Sequence, residues 1–248
     1  VTGIVVALAM VSAVFATSLL SGIFGMAGGL ILLWLLFFLL PVGTAIAVHG
    51  IIQVVSNASR AVISRRYIDW RIGGFAVLGL GLAAALFFLV RYTPNLAVVQ
   101  IVIGLMPILV WIPRRWLALD AARWPQAMLC GFISGSLSVG VGVSGPTIDI
   151  FFIRTAMDRR RIIATKSLIQ VLSHFIKVLF YFEATLVLSG NDWWLVAAAA
   201  PIAVLGTRTG NVILQRLTDD GFRSWTRWIV TAVGAVYLVR GIMLLLSP

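Results

Sequence analysis

Two stretches of this chain set polar side chains at one shared spacing within otherwise apolar sequence. His49, Gln53, Ser56, Asn57 and Arg60 fall at i, i+4, i+7, i+8 and i+11, and Lys166, Gln170, Ser173, His174 and Lys177 repeat those intervals. Such intervals gather side chains on one face of an α-helix. Amides and hydroxyls can replace part of an oxyanion's hydration without holding it too tightly for release. Arg60 and Lys166 toward one end, with His49 and Lys177 toward the other, would draw an anion along that face. Each residue has a plainer role too, because Gln, Ser and Asn bond helices together in apolar surroundings and cations flank helix ends. Five matched positions in two copies favour a path over glue for the set.

A second constellation is rich in glycine. Gly22, Gly25, Gly28 and Gly29 interrupt the first long apolar stretch, and Gly140, Gly142, Gly145 and Pro146 interrupt a later one. A helix beginning at Gly28-Gly29 or at Ser144-Gly145-Pro146 would leave amide hydrogens and a positive dipole end facing a ligand. Glycine lets the backbone come close, and proline is at home in a first helical turn. The plainer alternative is tight helix packing.

The elements that must carry these groups follow from composition. The 248 residues are 61% hydrophobic and 11% charged, with a mean hydropathy of +1.07. A soluble globule is nearer half apolar and about a quarter charged. This balance excludes a disordered chain, a nucleic-acid-binding domain and an ordinary cytosolic enzyme. The single Cys130 excludes an intrachain disulfide and a cysteine metal cage; neither metal nor cofactor is expected. Apolar segments fall at about 3–22, 29–40, 45–63, 71–90, 96–112, 126–141, 146–156, 162–182, 193–215 and 225–246, too long for strands and without their alternation. The expected fold is all-α, a polytopic helical membrane domain over 1–248 with eight or ten crossings. Segments 29–40 and 146–156 are short for a full span at about 1.5 Å per residue and read as half-helices or re-entrant pieces.

Arginine marks the sides. Arg60, Arg65, Arg66 and Arg71 flank one connection, Arg114, Arg115 and Arg123 another, Arg154, Arg159, Arg160 and Arg161 a third, and Arg216, Arg223 and Arg227 a fourth. The alternate connections 41–44, 91–95 and 183–192 contain Arg91 as their only basic residue. If the basic set is cytoplasmic, every segment alternates and both termini lie outside.

The sequence also resembles itself at a shift of 117 residues, which lays Ala47–Ser56 on Ala164–Ser173 without a gap and Gly25–Gly29 on Gly142–Pro146. Past an insertion near 184–191, Asp69-Trp70 matches Asp192-Trp193, and Gly79 and Ala83 match Gly206 and Gly210, spacings that allow close helix packing. With the charge parity above, the copies (about 1–113 and 124–248) have inverted topology. Inverted halves with glycine-broken helices build secondary transporters with a site near the midplane. Two charges keep several readings. Asp149, with no acidic counterpart at Leu32, could sit in a first helical turn, pair with Lys166 or Lys177, or carry a proton, as His174 could. Arg208 reaches the substrate or snorkels to the surface.

Gly25-Met-Ala-Gly-Gly29 with downstream Pro41 and Ala47, repeated as Gly142-Val-Ser-Gly-Pro146, resembles the sulfite exporter TauE/SafE family. The resemblance extends to the two-copy layout and the Asp-Trp near the third span. His49-Gly50 stands where the family often has Gly-Thr. The resemblance implies export of sulfite or organosulfonates across a bacterial inner membrane, with a small anion and the lipid bilayer as partners; it leaves a homodimer open. The stripe, the glycine breaks and Arg208 give the expected substrate-binding set: Gln53, Ser56, Asn57, Lys166, Gln170, Ser173, His174, Arg208, Gly28, Gly29, Ser144 and Gly145, with His49, Arg60 and Lys177 along the access path.

Two other readings compete. Gly142-Val-Ser144-Gly145 with His174 resembles the Gly-x-Ser-Gly and histidine of rhomboid intramembrane serine proteases, but the repeat accounts for that tetrapeptide through its serine-free partner within Gly25–Gly29. A transporter of another solute on the same frame is the second. An anion carrier should tolerate Asp149→Asn and suffer from Lys166→Ala or Gln170→Ala.

Overall fold

The computed structural model describes residues 2–24, 27–113, 116, 119–152, 155–214, 216 and 219–247, the side chains at 2–7, 9, 10, 159, 191, 192, 195 and 219–224 excepted. Gly25, Met26, Arg114, Arg115 and Arg154 of the expectations above lie outside the described residues.

Glycine and proline cut the apolar sequence into helices where the sequence places them. Described residues form α1 (Thr2–Phe24), α2 (Ala27–Leu39), α3 (Val42–Ile63), α4 (Trp70–Val90), α5 (Leu96–Leu105), α6 (Ile108–Trp111), α7 (Trp124–Val141), α8 (Gly145–Phe152), α9 (Arg159–Phe180), α10 (Gly190–Leu214) and α11 (Asp219–Leu246), with 3-10 turns at Arg65–Tyr67 and Glu183–Val187 and no strand. Gly142 ends α7 at φ +87°, a left-handed conformation that favours glycine. Asp69, Asn95 and Asp158 accept hydrogen bonds from the first amides of α4, α5 and α9. Segment 96–112, expected whole, divides at Pro107, which lacks the amide hydrogen that continues a helix. The short second and seventh segments are short helices, α2 and α8.

Among the described residues, five helices are long and apolar enough to cross a membrane: Val42–Ile63, Trp70–Val90, Arg160–Phe180, Val196–Leu214 and Trp225–Leu246; Val11–Phe24, Ala27–Leu39 and Leu96–Trp111 are shorter apolar helices. α3 is the most buried of the five, whereas α11 and α4 expose leucine, valine and phenylalanine outward. An exposed surface that apolar is covered by lipid in a stable protein.

Small residues set the spacing of the outer helices. A Cβ on Gly210 would lie 2.2 Å from Leu19 O, and one on Gly206 2.7 Å from Phe15 O, so α1 and α10 run in parallel, backbone against backbone. α4 and α7 are packed likewise, with Gly79 against Met128 O and Gly131 against Ala76 O. The small-residue spacings read in the sequence therefore do serve close packing. Between these pairs α3 and α9 lie antiparallel, Gly43 beside Tyr181 and Gly50 beside Lys177. α5 and α11 are antiparallel too, with Gly104 on Leu238 and Gly241 on Ile101. Tyr237, fully buried on α11, donates to Leu30 O and ties α11 to the start of α2.

Candidate functional site

The α3–α9 pair and the starts of the two short helices enclose the centre of the molecule. A cavity of about 20 Å³, room for one water, is lined by Gly29 and Leu30 of α2, His49 and Gln53 of α3, Val143 to Pro146 at the start of α8, and Gln170 and His174 of α9. Gln53 and Gln170 occupy equivalent positions of the repeat. The His49 and His174 rings meet edge to face, 5.7 Å apart. His174 is 5% exposed and its Nδ1 has no hydrogen-bond partner. A buried nitrogen in that condition is costly unless a ligand or water completes it.

Toward the arginine-rich connections the centre widens. Gly145 and Gln170 also line a vestibule of about 120 Å³ with Arg60, Asp149, Lys166, Ser167 and Asn211. Ile163, Asn211 and Leu214 pass from there into a mouth of about 560 Å³ bordered by Ser64, Arg66, Tyr67 and Arg160. Arg160 Nη1 donates to Tyr67 Oη at 3.2 Å, and this bond, with Arg66 nearby, holds the phenol below its usual range. Arg66 and Arg160 both lie over the Tyr67 ring. Arg60 Nη2 donates to Ser21 O at 2.8 Å, and Lys166 forms an ion pair with Asp149.

The opposite end is closed by side chains. Lys177, fully buried, donates from Nζ to His49 Nδ1 and to Gly142 O, each at 2.8 Å. His49 Nε2 faces Gly29 O at 3.0 Å. A carbonyl only accepts, so Nε2 carries the hydrogen and Nδ1 receives one from lysine; His49 is the neutral tautomer. No ion pair among the described residues includes Lys177. Further out, Tyr181 Oη donates to Val139 O, Tyr92 Oη to Gly140 O and Thr44 Oγ1 to Ala184 O. Burial raises the Tyr92 phenol above its usual range.

The expected residues separate on this geometry. Gln53, Gln170, His174, Gly29, Ser144 and Gly145 line the centre with His49, while Lys166 and Arg60 line the vestibule. Five lie off the cavities. Ser56 shares a 2.7 Å hydrogen bond with Thr207 of α10. Asn57 folds back onto Gln53 O and Oε1, and Ser173 onto Gln170 O. Gly28 is a packing glycine, since a Cβ there would lie 1.8 Å from Thr17 O. Arg208 is exposed on α10 and lines none of the three spaces. At about 100° per residue the stripe spans an arc wider than a cavity can use, so its edges bond to neighbouring helices. Asp149 falls beyond the first turn of α8, so its partner is Lys166 rather than the helix dipole. Ser144 Oγ accepts from Ser134 Oγ at 3.0 Å, and no hydrogen bond joins Ser144 to His174 among the described residues. No cluster of three His, Cys, Asp or Glu suited to a metal occurs among the described residues. Thr207, Asn211, Ser134 and Tyr67 were missed; Asn211, polar beside Gly210 in an apolar helix, carried the one signal that could have found it.

Apolar helices around a polar, cation-lined series of spaces define a multi-pass membrane protein built to pass a small solute. The family model of the sulfite exporters TauE/SafE matches residues 10–237, and the chain belongs to that family. It is thus a membrane exporter of the sulfite and anion class, with a small anionic substrate. No curated protein and no solved structure matches it.

Proposed function

We propose that the protein carries sulfite or small organosulfonate anions out of the cell across the bacterial inner membrane, by alternating access between inverted repeats of about 1–113 and 124–248. One observation carries this reading: two helix starts, α2 at Gly29 and α8 at Gly145, meet equivalent glutamines, Gln53 and Gln170, on one central cavity. Helix starts present amide hydrogens and the positive dipole end, which suits an oxyanion. His174 Nδ1 is a further group that an anion's oxygen would satisfy.

The antiparallel course of α3 and α9, equivalent under the 117-residue shift, supports inversion of the halves. So does the pairing of α1 with α10 and of their equivalents α7 with α4. With the arginine-rich connections cytoplasmic and both termini outside, the cavities lead inward from the cell. The anion is drawn by Arg66 and Arg160, passes Arg60 and Lys166, and is held between the glutamines. Rocking of the halves then parts Lys177 from His49 and Gly142 and opens the outer end. Each unit of negative charge leaving an inside-negative cell gains about 2.3 kcal/mol per 100 mV, so export needs no coupled ion.

Proteoliposomes are the test. Sulfite release should quicken when the imposed potential favours anion exit, and Gln170→Ala should slow it at least tenfold. Equal release with and without protein would sink the proposal.

A further inference from the structure

The two ends of the path carry unequal charge. At the outer end one basic side chain, Lys177, meets a neutral His49 and a carbonyl. At the arginine-rich end two cations, Arg60 and Lys166, line one vestibule with Asp149, whose carboxylate pairs with Lys166. The 117-residue shift lays His49 on Lys166 and Arg60 on Lys177. This inference rests on the alternating-access reading above: in an inverted-repeat carrier, closing one end reproduces with equivalent residues the contact that closes the other. The equivalent of Lys177 against His49 is Arg60 against Lys166. Two full positive charges brought together in a weakly polar interior repel strongly, so that end cannot close as the outer end does unless an anion comes between them.

The chain supplies one. Asp149 already holds Lys166 and faces the same vestibule as Arg60. Its counterpart at the outer end is Leu32, apolar and 2% exposed, where a neutral histidine makes a carboxylate unnecessary. The acidic group therefore appears on the one side where the repeat pairs two cations. We propose that Asp149 is the built-in counter-anion that lets the empty carrier close its arginine-rich end, a positioning residue that acts through Arg60 and Lys166. Without it, that end closes only over a bound anion. Loaded transport survives Asp149→Asn, because the cargo then supplies the negative charge; empty closing does not.

Opening of the outer end reports the event, since it accompanies closing of the other. Thr44, 2% exposed at the outer closure, is changed to cysteine; native Cys130 is buried and makes a quiet background. Labelling by an impermeant maleimide from outside is timed in gluconate and then with sulfite. Thr44→Cys alone should label in both media. Adding Asp149→Asn should slow labelling at least tenfold in gluconate and return it to within threefold when sulfite is present. Adding Asp149→Glu instead should keep the original rate. Equal rates with and without Asp149→Asn in gluconate would overturn the inference, as would slow labelling that sulfite fails to restore. Should Asp149→Asn not be recovered folded, Arg60→Gln with Asp149→Asn carries the test: with one cation left it should label in gluconate like Thr44→Cys alone, and slow labelling overturns the proposal. If Thr44→Cys alone labels in neither medium, alternating access itself fails, and this inference with it.

Discussion

Lys177 is a basic side chain sealed among uncharged partners, with two of its amine hydrogens on His49 Nδ1 and Gly142 O. Replacing it by methionine leaves both acceptors buried without a donor, at about 1–3 kcal/mol each. Lys177→Met is therefore expected to lower the unfolding midpoint in detergent and to loosen the outer closure; an unchanged midpoint would show that neither bond supports the fold. Spacing puts this lysine on the helix face that carries Lys166, Gln170 and His174, because that spacing is fixed by helix geometry. It could not name the partner. Whether Asp149 met Lys166 or Lys177 depends on how α8 is set against α9, which is tertiary information. The same limit explains Ser56, whose bond to Thr207 spans two helices far apart in the chain.

At the scale of elements, the positions where helices touch through glycine should be intolerant and the open ones indifferent. Gly131→Val drives a side chain into the backbone of α4 at Ala76 and should cost about 1–3 kcal/mol or more. A Cβ on Gly74 or Gly81 meets nothing within 4 Å, so Gly74→Val and Gly81→Val should stay within about 0.5 kcal/mol. Thermal unfolding of the three purified variants in one detergent decides; equal losses would refute the packing assignment. Helix existence and limits were legible almost throughout, since long apolar runs broken by glycine and proline leave few alternatives. The exceptions have local causes. Pro107 breaks a segment that hydropathy alone carries through. Gly28 and Gly29 are neighbours, yet one packs on α1 and the other lines the cavity, a difference of about 100° around a helix that composition does not carry.

For the molecule as a whole, the spaces from Tyr67 to Gln170 adjoin one another through shared lining residues, and on the proposed orientation they face the cytoplasm. A cysteine at Asn211, which borders both vestibule and mouth, should react with an impermeant maleimide applied to inside-out vesicles and stay protected in intact spheroplasts. The reverse pattern would invert the topology. The repeat and the arginine parity were visible because each is periodic along the chain. The depth of the path was not, since it depends on which helices are drawn apart.

The connection after α9 differs from its equivalent after α3. Tyr181 and Ala184, the latter within the 3-10 turn Glu183–Val187, brace the start of α3 through Gly43 and Thr44, whereas Arg65–Tyr67 borders open space. On the proposed cycle and orientation, this asymmetry makes the two resting poses unequal in energy, and an unladen molecule idles mostly with its door ajar to the cell interior.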